Sequence, residues 1–324
     1  MICSSGGVNV GKLTEMGIRH YCIPDITEKE PSKIFIVAKK LKRIIKEEKI
    51  TVIHTHHRMA AFYVSVLGLY KKCIFINTSH NTIDNKRRFT QISYKHCNLI
   101  ACGEMVKKNL VEEFNLPSNR ITVIHNAVRP FNNEVCTDRL IQELHDEGLF
   151  IIGNVGRLTE QKGMRYFIEA APFIIKTHPD TRFLIIGSGE EEEMLKKMVS
   201  DNKMDKYILF LGYRNDIQNL MSQLDLVVLS SLWEGLPLTP IEAYSVEKTI
   251  VATAVDGTIE IVRDGIDGYL VEPGSAEAIA DKVNYIIEHP NIKVALEHNA
   301  GERYKEKFSF TRLADSYIRY YERL

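Results

Sequence analysis

The chain has 324 residues, enough for two domains of ordinary size, with 44% hydrophobic and 26% charged residues in the usual globular balance. No apolar run approaches the ~18 residues of a membrane span, no basic segment with an apolar core marks a secretory leader, and the six cysteines lack Cys-x-x-Cys or zinc-finger spacing. The formal charge is zero but divided: residues 1–147 carry 22 Lys and Arg against 15 Asp and Glu, a net of +7, and residues 148–324 carry 20 against 27, a net of −7. That split, with all six cysteines on the basic side, predicts two domains with different partners and reduced thiols in a cytosolic protein.

From the start, Gly6, Gly11 and Lys12 imitate a phosphate-binding P-loop, but Leu13 stands where Ser or Thr must hold magnesium. The stretch therefore reads as a strand end and a loop leading into a helix before Gly17. Helical spacing follows over Ile34–Glu48, then strands are predicted at Thr51–Thr55, Cys73–Asn77, Leu99–Cys102 and Thr122–His125, with a helix at Met105–Phe114. Pro130–Gly148 reads as the domain boundary. Beyond it, strands are predicted at Phe150–Val155, Thr181–Ile186, Ile208–Leu211, Leu226–Leu229, Thr249–Thr253 and Tyr269–Val271. Helices fall at Met164–Thr177, Glu191–Asn202, Ile217–Gln223, Ile241–Ser245 and Ala276–Glu288, and an aromatic amphipathic helix ends the chain at Arg312–Leu324. Strands alternating with helices imply parallel sheets with right-handed crossovers.

The densest chemistry lies in GNVGRLTEQKGM (153–164). A strand ends near Gly156, Arg157 and Lys162 follow, and Gly163 stands at the mouth of a helix, whose free N–H groups and dipole favour an anion. In SSLWEGLPLTPIEAYS (230–245), Glu234 sits in a Gly/Pro loop at the carboxyl end of a strand, where parallel sheets bind ligands. Thr239 as N-cap, Pro240 as the first helical residue and Glu242 three positions after the cap would form a capping box. Gly187-Ser188-Gly189 imitates a dinucleotide fingerprint, but Glu192 replaces its third glycine and Glu190–Glu193 would repel a pyrophosphate; a tight turn beside a base fits better.

The Glu234-x7-Glu242 spacing after GRLTEQKG, with FLIIGSGEEEEML, ILFLGYRNDI and VATAVDGTIEIVRDGIDGYLVEPGS in order, resembles the retaining family-four glycosyltransferases. The resemblance covers residues 150–290. It implies an α/β GT-B fold: two Rossmann-like domains facing a cleft, residues 1–147 on the acceptor side and 148–308 binding the nucleotide sugar, with a final helix (309–324) crossing back to the first. It implies that Arg157 and Lys162 meet the donor diphosphate, Glu234 the transferred sugar, and Glu242 the ribose. Gly156, Gly187, Gly212, Tyr213 and Arg214 would border the nucleotide, and backbone at Gly235, Leu236 and Leu238 would meet phosphate or sugar. His80, after the strand CIFIN, matches a family histidine near the transferring sugar, giving Glu234, His80, Arg157 and Lys162 as the catalytic set. His56, His57 and Asn126 are acceptor-side candidates, whereas His54 reads as a satisfied histidine near the sheet.

No metal and no further cofactor is expected, because Arg, Lys and backbone groups suffice for the leaving group and no Asp-x-Asp motif occurs. The family departs from this chain at Gly103, where Ser is common, and at Arg129, where an acid is common. By the same alignment, MICSSGG matches the family's second strand, so about 35 residues forming its first strand and helix have no counterpart here. The implied function is transfer of a hexose or N-acetylhexosamine from a nucleoside diphosphate sugar, UDP by family frequency, to a glycan or lipid-linked acceptor in cell-envelope or capsular polysaccharide synthesis. Rival readings are a non-catalytic nucleotide-sugar-binding subunit, a GT-B epimerase and a P-loop phosphotransferase. Basic clusters at Lys39–Arg43, Lys71-Lys72 and Lys86–Phe89 suggest peripheral contact with an anionic membrane on its cytoplasmic face, and no nucleic-acid motif is present.

Overall fold

In the computed structural model, which describes residues 1–7, 9–27, 30–83 and 85–324, the chain forms two units. One comprises Met1–Ala101, Lys107–Val123 and Leu324; the other comprises Cys102–Val106 and Ile124–Arg323.

The first unit contains β1 (Ile2–Ser4), α1 (Val10–Glu15), β2 (His20–Cys22), α2 (Pro31–Glu47), β3 (Val52–Thr55), α3 (Arg58–Val66), β4 (Ile74–Ser79), α4 (Arg87–Tyr94), β5 (Asn98–Ala101) and β6 (Ile121–Val123). Helix α5 (Glu104–Glu112) lies between β5 and β6 in the chain. β1 and β2 pair as a parallel two-stranded sheet, and β3-β4-β5-β6 form a parallel four-stranded sheet in chain order. β4 and β5 are central, and their Phe75, Ile76, Leu99 and Ile100 are buried. Burial pushes the Cys97 thiol up to about 12, and all six cysteines are free.

The second unit runs through α6 (Arg139–Asp146), β7 (Phe150–Val155), α7 (Met164–Thr177), β8 (Thr181–Ile186), α8 (Glu192–Asp201), β9 (Ile208–Gly212) and α9 (Ile217–Ser222). It continues through β10 (Leu226–Leu229), α10 (Leu238–Ser245), β11 (Ile250–Thr253), α11 (Thr258–Ile261), β12 (Tyr269–Val271), α12 (Ala276–Glu288), α13 (Pro290–Arg303) and α14 (Phe310–Glu322). Its six strands are all parallel in the order β12-β11-β10-β7-β8-β9. The chain winds outward from β7 to β9, then returns to β10 on the other side of β7. The strand order reverses between β7 and β10, and parallel sheets bind ligands beyond the carboxyl ends at such a point. Phe167, Ile168, Ile174, Phe183 and Ile185 pack beneath it in a fully apolar core.

The division falls ahead of the 147/148 boundary read from composition. Asp138 accepts the Leu140 and Ile141 N–H groups, capping α6, and its other oxygen accepts Arg214 Nη1 at 2.9 Å. His145 Nε2 meets the Gln223 carbonyl at 2.9 Å. These bonds bind α6, whose one Arg stands against Glu143 and Asp146, to the acidic second unit.

The Gly103 departure has a local reason. The Glu260 carboxylate accepts the N–H groups of Glu104 and Met105, each at 2.7 Å, and lies 3.3 Å from His125 Nε2. A Cβ at Gly103 would lie 2.9 Å from Glu260 Oε1, so a serine would push this carboxylate away. Burial raises the Glu260 pKa, but hydrogen bonds from His125, Met105 and Glu104 outweigh it and hold the group below its usual range. A depressed carboxylate stabilises the fold above the unfolded value near 4.5 and loses that contribution as pH falls through the folded value. Glu260→Gln should therefore cost about 1–3 kcal/mol near neutral pH, with the gap to wild type closing in acid. Melting curves at several pH values check this; a gap that widens in acid would contradict it.

Candidate active site

The loops after β7 and β10 meet at the reversal point. Leu232 N–H donates to the Gln161 carbonyl at 2.8 Å, Gln161 Nε2 to the Trp233 carbonyl at 3.0 Å, and Ser230 Oγ to the Lys162 carbonyl at 3.1 Å. This lacing fixes Lys162 against Glu234, Nζ to Oε1 at 2.5 Å. Ser231 Oγ donates to the same oxygen at 2.7 Å. Glu234 is only 5% exposed, so its charge depends on these partners. Its Oε2 faces Gln161 Nε2 at 3.5 Å, leaving acceptor capacity for a hydroxyl.

Backbone forms the rest of the wall. Gly156 N–H donates to Ile186 O and Gly187 N–H to Gly212 O, at 3.0 and 2.9 Å. A Cβ at Gly187, where φ is +148°, would strike the Gly156 carbonyl, and one at Gly163 the Ser230 carbonyl. These glycines let three strand ends approach closely enough for main-chain groups to line one surface.

The structure brings Gly156, Lys162, Gly187, Gly212 and Glu234 to the carboxyl ends of adjacent strands. Arg157 is exposed on the same loop, with no side-chain hydrogen bond or ion pair among the described residues. Asn126 Nδ2 donates to the Leu236 carbonyl at 3.1 Å, bringing this acceptor-side candidate onto the Gly235–Leu238 loop. Tyr213 is 78% exposed. Arg214 is committed elsewhere: it pairs bidentately with Asp216 at 2.9 and 2.8 Å and singly with Asp138.

The capping box is not formed. α10 begins at Leu238 after Pro237, so Thr239 and Pro240 lie inside the first turn, and the Thr239 hydroxyl donates to the Val155 carbonyl. The Glu242 carboxylate is left without a hydrogen bond or ion pair among the described residues, while its carbonyl accepts Ser245 Oγ at 2.6 Å. Burial pushes its carboxyl up, opposed by the Lys162 charge. A carboxylate with no structural duty near Lys162 fits a ligand-binding role. Ser231 and Gln161, which hold Glu234, carry no local sequence signal; only their contacts identify them.

The first unit has its own polar cluster at the ends of β3 and β4. His54 Nε2 bonds Thr78 Oγ1 at 2.8 Å, as a satisfied histidine should, and its ring stacks on His56 at 4.4 Å. Burial, with the nearby His56 and His80, brings the His54 pKa down to about 4, so it is neutral at physiological pH. His56 Nδ1 and His80 Nε2 share a hydrogen bond of 3.1 Å. His57 also lines this cluster's cavity, and its Nδ1 accepts Met59 N–H and caps α3. His56, Arg58, Ser79, His80 and Asn81 help line a cavity of about 280 Å³.

The same fold occurs in a glycosyltransferase from Rickettsia africae, with a TM-score of 0.86 at 24% identity over 99% of this chain and 89% of that one. It also occurs in HepE of Anabaena, solved with UDP-glucose, at a TM-score of 0.86 and 20% identity over 99% and 91%. The protein thus has the GT-B fold. Residues 138–306 match the model for glycosyl transferases group 1, and residues 2–130 that for glycosyltransferase family 4. The chain belongs to the glycosyl transferase group 1 family.

Among its relatives is an uncharacterized glycosyltransferase of Methanocaldococcus jannaschii, 25% identical over 86% of this chain and 77% of the relative. The UDP-Gal:alpha-D-GlcNAc-diphosphoundecaprenol alpha-1,3-galactosyltransferase of Escherichia coli is 32% identical over 72% and 65%. The capsular polysaccharide biosynthesis glycosyltransferase CapM of Staphylococcus aureus is 26% identical over 65% and 57%. The matches thus span less than two thirds of the last two.

Proposed function

We propose that the enzyme transfers a hexose or N-acetylhexosamine from a UDP-sugar, with retention, to a hydroxyl of a glycan or lipid-linked acceptor in envelope or capsular polysaccharide synthesis. The observation carrying this reading is the Lys162–Glu234 pair at the β7/β10 reversal, within a wall of backbone groups. In this reading Lys162 and Arg157 neutralise the departing diphosphate, Glu234 Oε2 orients the sugar and Glu242 takes the ribose hydroxyls. In this reading the counter-charge comes from Arg157 and Lys162, so no metal is assigned to the site. The Glu234 carboxylate is tied to Lys162 and Ser231, which favours attack from the face the diphosphate leaves, a diphosphate oxygen taking the acceptor proton. His80, held by His56, is assigned to the acceptor hydroxyl. The reaction is placed on the cytoplasmic side, where nucleotide sugars are made. The UDP-sugar and alpha linkage named for the Escherichia coli relative support donor and stereochemistry.

A thermal-shift panel of UDP, GDP and ADP sugars, with and without chelator, tests the reading. It should show stabilisation by UDP sugars alone, unchanged by chelator, followed by transfer to acceptor. Donor binding without turnover would mark a binding subunit. A changed sugar without acceptor would mark an epimerase.

A further inference from the structure

Adjacent strands β7, β10 and β11 of the second unit end in polar side chains that no solvent reaches. Asn154 on β7, Ser230 and Ser231 just after β10, and Thr253 at the end of β11 are each 0% exposed. Their neighbours Ile151, Ile152, Val227, Val228, Val251 and Ala252 are apolar and equally buried. Burying an amide and hydroxyls costs free energy that a purely structural sheet avoids with valine or isoleucine, so what these groups bond to carries information.

Thr253 Oγ1 donates to the Ser231 carbonyl at 2.5 Å and ties the start of the Glu234 loop to the sheet. Asn154 Nδ2 donates to Ser230 Oγ at 2.9 Å, and Ser230 Oγ donates to the Lys162 carbonyl at 3.1 Å. The direction of these bonds is chemically fixed. A serine hydroxyl has one proton, and the amide nitrogen can only donate, so the Ser230 proton is left for the Lys162 carbonyl. Turned over, the amide would take that proton and leave the Lys162 carbonyl without it. The next residue shows how tight the junction is: a Cβ at Gly163 would lie 2.2 Å from the Ser230 carbonyl. A shift at Ser230 therefore moves the turn that carries Lys162, whose Nζ meets Glu234 Oε1.

We propose that Asn154 and Ser230 are positioning residues for sugar transfer. The Asn154 amide sets the direction of the Ser230 hydroxyl, and that hydroxyl holds the Lys162 main chain so that its ammonium stands at the departing diphosphate. Both residues are 0% exposed, so neither touches substrate and both act through Lys162. The inference rests on the role given to Lys162 in the proposed function.

The test is single-turnover kinetics and donor binding in Ser230→Ala and Asn154→Asp, each made in the wild-type and in the Lys162→Ala background. Ser230→Ala removes the bond to Lys162. Asn154→Asp keeps the shape but lacks the donor, and its carboxylate draws the Ser230 proton to itself. Each should lower kcat about tenfold or more, with donor affinity changed less than about threefold, because Lys162 matters most as charge develops. In the Lys162→Ala background neither should lower the rate by more than about twofold, and Asn154→Asp should add nothing to Ser230→Ala. A merely structural role would lower the rate equally in both backgrounds. If Asn154→Asp folds poorly by its melting curve, Ser230→Ala in the two backgrounds decides alone. Wild-type kcat in Ser230→Ala beside a large loss in Lys162→Ala would overturn the positioning role and leave the donor site standing. Full multiplication of the Ser230→Ala and Lys162→Ala losses would also overturn it. An active Lys162→Ala enzyme would overturn the donor-site reading, and this inference with it.

Discussion

Lys162→Ala should lower kcat/KM for sugar transfer by about 10²–10³. The ammonium makes a 2.5 Å bond to Glu234 and stands on the loop after β7, where a diphosphate would meet both it and Arg157. Its removal takes away charge that matters most as the leaving group departs, so kcat should fall more than donor affinity. It also leaves the Glu234 carboxylate with Ser231 as its remaining close partner. A folding defect is separated by melting temperature and by Lys162→Arg, which restores the charge with altered geometry and should recover part of the activity. Single-turnover kinetics at saturating donor are the deciding measurement. If Lys162→Ala keeps its rate within about a factor of ten, the donor-site assignment fails.

The second large effect is on stability. Asp267→Ala should cost about 3–5 kcal/mol, seen as a fall of ~10 °C in the melting temperature. Asp267 is fully buried and accepts the Tyr244 hydroxyl and the Arg263 N–H, each at 2.7 Å, together with Arg263 Nε at 2.5 Å. Burial, reinforced by the Asp267 charge and hydrogen bond, pushes the Tyr244 phenol well above its usual pKa, so the phenol remains a donor. Truncating Asp267 strands that buried hydroxyl and the Arg263 groups together. Tyr244→Phe removes one partner and should cost less. Because Tyr244 lies on α10 two residues after Glu242, Asp267→Ala should also weaken donor binding. Unchanged melting in the alanine variant would refute the role given to this network.

The DGIDG run shows where sequence reasoning stops. It was recognisable as part of the family's pattern, but nothing local shows that Asp267 reaches a tyrosine 23 residues earlier. β7, β8, β10, β12, α7 and α12 match their predicted spans, because apolar periodicity and flanking turns mark both ends. β2 escaped notice: His20–Cys22 is three residues without an apolar run, defined by pairing with β1. α13 escaped because its apolar residues do not gather on one face. The capping box misreads a local pattern that α10 bypasses by starting two residues earlier.

The alternation of strands and helices, the family, and the placing of Lys162 and Glu234 on loops after strands are all legible in the amino-acid sequence. These follow from local periodicity, turn chemistry and motif spacing, written within short windows. That those loops meet where the strand order reverses, that Arg214 is held by Asp216 and Asp138, and that Glu242 has no capping duty emerge from the folded chain. Gly11 and Lys12 of the P-loop imitation lie inside α1, in the other unit from the Lys162–Glu234 pair. Such outcomes depend on contacts between residues some 70 to 80 positions apart, as in Lys162–Glu234 and Asp138–Arg214. Chain folding sets those contacts, and no local window of sequence contains them.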